Sequence, residues 1–506
     1  MNPSTLAGQH VPRWFWPLLL GLNLLLHAPF FNQPPNSAHV WRQTNTMAVA
    51  RNLYEEDMNP LRPRVDRRNE SDGVTGMQFP SYEWLVAVGY QALGFHEAIP
   101  RVVSWLIFAA GLVAFHALLR RITGSSWLAA VGTWGLGWSP ELFYHSINAL
   151  PDILALTASL AGFYFFLTWY QRGRRGLCFW LALACVTLAG MTKLQYLVIG
   201  FPIAVLVLRD AMQRRLRWRD ALALAGFAVV TVGATLAWYR YALALIETSG
   251  LADFGLEVRP AANLAVALKT LQHNLVSDLP ELLLNFANFI LLLLGLVVLV
   301  RQRLYRHPWF GPVLAWALAL LAYHIIELRQ MTVHQYYMLP YLPVLLLPVV
   351  AGARWLSRQP RWHWALALLL LAQPVLAFVR IAPARWMRGA REVPVELFEA
   401  TTRARLRQAV PDSALCVVGP DNSGCKFFYF LHKKGFGYDE SAQLFRPLPG
   451  GQPYLANCIQ RGARYLYTND STLTADPRLR PYLAGRVRKV GAFEVLALRN
   501  PASAAP

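Results

Sequence analysis

About eleven apolar runs, each near the length that crosses lipid, divide this chain, and arginines gather in alternate gaps between them. A backbone inside a bilayer finds no water to bond, so each run must close its own hydrogen bonds as a helix. The runs cover 14–31, 99–119, 127–147, 153–170, 177–192, 196–208, 221–241, 282–300, 309–326, 338–356 and 364–381. They predict a polytopic α-helical membrane protein. Charged residues make up only 15% of the chain, against about 25% in soluble proteins. The net charge of +20 would suggest nucleic acid in a soluble chain. Here the positive-inside bias of short loops explains the excess, and no nucleic-acid partner is expected.

The arginine phase carries a topology. Arg120 and Arg121, then Arg172, Arg174 and Arg175, then the group from Arg209 to Arg219, then Arg301, Arg303 and Arg306 mark cytoplasmic gaps. The amino terminus falls on the same side. An odd span count places the carboxy-terminal part outside. The gaps holding Asp152, Lys193, Arg259 and His334 share that outer side. The run at 14–31 lacks a small-residue cleavage site and reads as a retained span.

The gap at 32–98 is unlike the others. It is about sixty residues long, where most connections are short, and it keeps several arginines against the charge bias. Residues 46–54 fit a short amphipathic helix, with Met47, Ala50 and Tyr54 on one face. Residues 79–93 fit another, started by Pro80. Surface packing on the bilayer accounts for such helices, and so does the frame of a reaction cavity.

From residue 383 the composition changes. Residues 415–418 and 465–467 read as short strands. Residues 487–490 and 493–498, around Gly491-Ala492, read as a hairpin. Residues 396–408 read as an amphipathic helix. The division expected is therefore 1–382, a transmembrane part, and 383–506, a small α/β domain. Cys416, Cys425 and Cys458 lie in that domain, and an oxidising compartment would allow one disulfide among them.

Several motifs resemble one family. His39-x-Trp41-Arg42-Gln43-x-x-Thr46, Ala50-Arg51-Asn52 and Pro63-x-x-Asp66 resemble the first outer loop of bacterial GT-C membrane glycosyltransferases. These are the lipid A aminoarabinose transferase and protein O-mannosyltransferase type, with the core galacturonic acid transferase branch. Gly76-Met77-Gln78-Phe79-Pro80-x-Tyr82 is similar to a segment of that branch. Arg101 and Ser104, Pro151-Asp152, Thr192-Lys193 and His334-x-Tyr336-Tyr337-x-x-Pro340 resemble later family turns, in order. Leu431-x-Lys433-Lys434-Gly435-Phe436 echoes a stretch of the family's tail. Two positions depart. The family often has aspartate at Asn45 and glutamate at Gln78.

The resemblance implies a GT-C-like fold and a sugar donor on a polyprenyl phosphate. A lipid, glycan or protein hydroxyl would displace the lipid phosphate with inversion, on the periplasmic side. Such chemistry needs a carboxylate to take the acceptor proton and cations for the leaving phosphate. Asp152 and Asp66 are the candidate acids; helix capping and a turn are their structural alternatives. Lys193, between two apolar runs, is expensive unless it meets water or an anion. His39, Arg42, Gln43, Asn45, Arg51, Gln78, His334, Tyr336 and Tyr337 are candidates for donor phosphate and sugar. Solvated faces and interfacial anchoring are the alternatives for the arginines and tyrosines. No ligand spacing predicts a metal site, no cofactor is expected, and a need for a divalent cation stays open. Two other readings remain: a relative that binds polyprenyl phosphates without transfer, and a lipid-linked substrate transporter. Inverted repeats with broken midplane helices, which transporters favour, are not visible.

Overall fold

The computed structural model describes residues 11–171, 176–252, 254, 260–387 and 392–500. Expectations resting on Arg172, Arg174, Arg175 and Arg259 lie outside these residues. The chain packs as two compact units. One comprises residues 1–32, 100–240 and 256–387; the other comprises 33–99, 241–255 and 388–506. The long first gap thus packs in one unit with the chain's last part.

The first unit is helical, and each apolar run carries a helix. Six helices of the described residues are long and apolar enough to cross a membrane, or seven if one bent pair counts as a span. The expected count of about eleven is not reached on this measure. Three apolar helices are shorter, Phe15–Phe30, Gly176–Thr192 and Phe310–Ile326. The run at 127–147 is broken: one helix ends at Gly137 and another starts at Pro140, whose ring lacks the amide a continuous helix would use. The polar stretch before Pro280 is also not a plain loop. Leu264–Leu283 is helical and meets Phe286–Arg301 at 116°.

In the second unit, Val40–Glu55 and Ser81–Leu93 form the two helices expected of the first gap. Pro80 sits at the N-cap of the second, as its fixed φ favours. Val49, Leu53, Val65, Met77, Ala87, Leu251 and Phe254 bury a common core. Gly76 is required there, because a Cβ would meet the Ala242 carbonyl oxygen at 1.7 Å.

A five-stranded sheet completes the unit: β1 (Leu415–Val418), β2 (Lys434–Gly437), β3 (Tyr465–Thr468), β4 (Leu483–Val490) and β5 (Phe493–Leu498). Its order is β2-β1-β3-β5-β4, with β1 parallel to β2 and β3, and β5 antiparallel to β3 and β4. The predicted strands and hairpin are present. The helix expected over 396–408 is split into Val395–Phe398 and Ala400–Arg407 by extended backbone at Glu399. Strand β2 was not foreseen. Gly435 within it has φ +144°, and a Cβ would lie 2.1 Å from the Cys416 carbonyl oxygen. All five cysteines are free, so the possible disulfide is absent. Cys416 sits inside β1, and Cys458 in Tyr454–Gln460. Burial pushes each thiol up to about 12.

Candidate functional site

In the first unit, Asp152 opens the helix Asp152–Gln171 and is fully buried. The turn before it is pinned from a neighbouring helix. Arg101 donates to the Asn148 side chain at 3.1 Å, and Ser104 to the Asn148 carbonyl at 2.8 Å. These are two residues of the family-like motifs, and their visible work is to fix where Asp152 begins. Among the described residues, neither Asp152 oxygen has a hydrogen-bond partner. The capping alternative therefore has no hydrogen bond to support it.

Lys193 interrupts the helical path between Gly176–Thr192 and Leu194–Ile199 with extended backbone. Its ammonium lies 3.6 Å from Asp152 Oδ2, within ion-pair range but beyond a hydrogen bond. The same ammonium lies over the Tyr336 and Tyr337 rings, 5.8 and 5.3 Å from their centroids. His334 packs on both tyrosines, with centroids 5.4 and 5.8 Å away. The fold therefore brings together Asp152, Lys193, His334, Tyr336 and Tyr337, which the sequence spreads over about 190 residues.

Sequence reasoning missed an adjoining cluster. Glu141 is buried and accepts from His145 Nε2 at 2.9 Å and from Arg385 at 3.2 Å. Arg385 also lies 4.4 Å from the Tyr144 centroid, and the His145 ring meets Tyr336 edge-on at 5.6 Å. A signal existed. Ser139-Pro140-Glu141 spells a helix start inside an apolar run, and ionisable residues in such runs are functional by default.

In the second unit, the helix Val40–Glu55 places most of the first-gap candidates. His39 is its N-cap, at φ +60°, a left-handed conformation that costs a non-glycine residue of order 1 kcal/mol. Arg42 is buried, 4.7 Å from the Phe254 centroid, and among the described residues no carboxylate pairs with it. Gln43 bonds the Ala38 carbonyl at 3.2 Å. Asn45 is buried with its Oδ1 lacking a hydrogen-bond partner among the described residues. Gln78 donates to Glu83 at 3.2 Å, and Glu83 is fully buried. A carboxylate thus stands beside the position where the family often has one.

Arg51 and Asp66 go elsewhere. Arg51 donates to Asp66 Oδ2 at 2.6 Å and to the Tyr429 carbonyl at 3.1 Å. Asn52 donates to Asp66 Oδ1 at 2.9 Å. Both carboxylate oxygens are engaged and both side chains of the pair are buried. Burial opposes the Arg51 charge, but Asp66 and Glu55 outweigh it and raise its pKa. Asp66, a candidate acid, and Arg51, a candidate donor-binding residue, are thus paired with each other.

Solved structures share this architecture, although no family model and no curated protein matches the sequence. ArnT from Cupriavidus metallidurans in the apo state matches with a TM-score of 0.63 at 14% identity, over 97% of this chain and 98% of that one. ArnT bound to undecaprenyl phosphate matches with 0.63 at 15% identity, over 96% and 98%. AglB from Archaeoglobus fulgidus, in complex with an inhibitory peptide and a dolichol-phosphate, matches with 0.56 at 12% identity, over 98% and 75%. The chain has the fold of the GT-C glycosyltransferases. With its apolar helices, the GT-C fold makes this a multi-pass membrane protein with a small sheet near its carboxy terminus. At these identities the likeness concerns fold, so the chemistry must be argued from the residues.

Proposed function

We propose that this chain is a glycosyltransferase that moves a sugar from a polyprenyl-phosphate donor to a hydroxyl acceptor with inversion. The observation that carries the reading is Asp152: a buried carboxylate without a hydrogen bond among the described residues, 3.6 Å from Lys193 and beside a tyrosine pair. A buried ion pair without hydrogen bonds on its carboxylate recovers little of the desolvation penalty. The two neighbours bound to undecaprenyl phosphate and dolichol-phosphate supply the ligand class.

The step is a displacement at the anomeric carbon. The acceptor oxygen bonds to that carbon while its proton passes to Asp152, and the bond to the phosphate oxygen breaks. The leaving polyprenyl phosphate keeps the electron pair. Base and leaving group must face opposite sides of the carbon, so Lys193 cannot hold both at once. Its flexible stem turns from Asp152 onto the phosphate as donor binds, which frees the carboxylate. Tyr336, Tyr337 and His334 frame that phosphate; a donor-binding part for Arg42, His39, Gln43, Asn45 and Gln78 rests on the resemblance of the first gap to the family. Asp66 and Arg51 hold that gap's structure. The acceptor is a lipid, glycan or protein on the periplasmic side of the inner membrane, reached from a part of about eleven spans over 1–382, with 383–506 as the outer domain.

The test is direct. Purified protein is incubated with a polyprenyl-phosphate sugar, and free polyprenyl phosphate is measured with and without acceptor. Alkaline phosphatase fused after Pro506 is active and fused after Arg217 inactive; the reverse would put the proposed site on the cytoplasmic side. A second reading has its own observation, the orphaned Asn45 Oδ1 where the family often has aspartate. If wild type releases no lipid phosphate from any donor and Asn45→Asp does, the chain binds donor without transfer.

A further inference from the structure

We propose that a pocket in the first unit, between the ends of Ala98–Thr123 and Asp152–Gln171, binds the phosphodiester headgroup of an anionic phospholipid. The pocket holds about 410 Å³ and is lined by Ala117, Arg120, Arg121, Tyr164 and Gln171. That volume suits a small polar headgroup. Both helices are long and apolar enough to span a membrane, so their ends lie near its surface. The helix Asp152–Gln171 has 20 residues, about 30 Å of rise, so the pocket lies toward the end opposite Asp152. It is a second anion site, separate from the one proposed for the donor.

The arginines are not spent on each other's neighbours. No carboxylate lines the pocket, and among the described residues neither Arg120 nor Arg121 pairs with one. Arg121 is held in place by weak neutral contacts. It reaches the Leu167 carbonyl and the Gln171 side chain, each at 3.4 Å, and lies 5.0 Å from the Tyr164 centroid. Helix C-terminal capping accounts for the Leu167 contact. It does not account for Arg120, which has no side-chain hydrogen bond among the described residues and sits exposed.

The surface leading to the pocket points to lipid as the source of the anion. Val102, Leu106, Val113, Ala117 and Arg120 recur at helical spacing on one stripe of Ala98–Thr123. Leu106 and Val113 are 57% and 52% exposed. An acyl chain lying on that stripe brings its phosphate to Arg120 and Arg121. Two arginines at a membrane surface favour anionic lipid by about 1 kcal/mol each, which is roughly thirtyfold together.

The test is native mass spectrometry on the full chain, released from bilayers of phosphatidylcholine with phosphatidylglycerol. Wild type retains phosphatidylglycerol in preference to phosphatidylcholine. Arg120→Gln with Arg121→Gln loses that preference by about tenfold or more, and Arg121→Lys keeps most of it. Arg301→Gln with Arg303→Gln, at another basic gap, leaves it unchanged. Unfolding in pure phosphatidylcholine confirms that each variant folds. Equal retention of the two lipids by wild type overturns the proposal without any variant. So does full displacement by millimolar inorganic phosphate, which would mean an anion site that does not read lipid.

Discussion

Two buried carboxylate–cation pairs in this protein have the same chemistry and opposite states. Asp66 meets Arg51 at 2.6 Å, and its other oxygen is bonded by Asn52. Asp152 stands 3.6 Å from Lys193, with neither oxygen hydrogen-bonded among the described residues. Both aspartates are at most 2% exposed. Desolvation therefore penalises both, and only one recovers the loss through geometry. Arginine's planar fork locks a carboxylate, whereas lysine's point charge on a flexible stem leaves it available. A closed pair has both carboxylate oxygens hydrogen-bonded, and the open pair has neither among the described residues. Burial and charge alone do not tell them apart.

The largest effect expected is on turnover. Asp152→Asn keeps the size of the side chain and removes proton acceptance, so kcat falls by about 10²–10⁴. The unfolding midpoint also falls, because buried Lys193 loses its carboxylate partner at 3.6 Å, so kcat is read on the folded fraction. Full turnover in this variant would break the comparison at its functional side.

Asp66→Ala should do the reverse. It leaves Arg51 buried and unpaired, which costs about 3–5 kcal/mol of stability. Chemical denaturation of the second unit would show this, and any folded fraction should turn over normally. A stable Asp66→Ala protein lacking activity would mean that the closed pair also serves the reaction.

A smaller change is expected at Lys193. Lys193→Ala raises donor KM by roughly ten- to a hundredfold, from loss of a charged contact of about 1.5–3 kcal/mol. Lys193→Arg tests flexibility. If arginine locks onto Asp152 as Arg51 does onto Asp66, donor binding recovers only in part and kcat drops. Wild-type kcat and KM in Lys193→Ala would remove lysine from phosphate handling.

The smallest effect concerns pH and the first gap's edge. Burial would raise the Glu55 pKa, but the hydrogen bond from His432 and the charges of Arg51, His432 and Lys434 lower it to about 2 from 4.5. A carboxylate held low in the folded state stabilises above its unfolded pKa and loses that contribution as pH falls toward the folded one. The unfolding midpoint should therefore drop between about pH 4.5 and 2, less steeply in high salt because Glu55 is partly exposed. Glu55→Gln should flatten that slope. An unchanged slope would show that other carboxylates govern it.

Some of this was legible in the residues. Each apolar run became a helix, and the helices of the first gap appeared where spacing placed them. Strands β1, β3 and β5 were visible because apolar residues persist over a few positions between turn signals, and β4 because Gly491-Ala492 marks the hairpin turn. The isolation of Lys193 between two apolar runs marked it as costly before any contact was known. Strand β2 was hidden, since two of its four residues are glycines and its partner lies across a crossover. Glu141 and His145 were hidden by apolar neighbours, because the break at Pro140 was read as part of one span.

Sequence by itself determined which apolar segments must be helical and which residue types sit at the turns. These are properties of one segment and its solvent: hydrophobic period, chain length, proline and glycine geometry. Only the tertiary structure decided that Lys193 meets Asp152, that Arg51 closes on Asp66, and that Glu83 stands beside Gln78. A pairing depends on how two segments pack together. Distances of 2.6 and 3.6 Å are set by that packing and by side-chain reach, which no local pattern records.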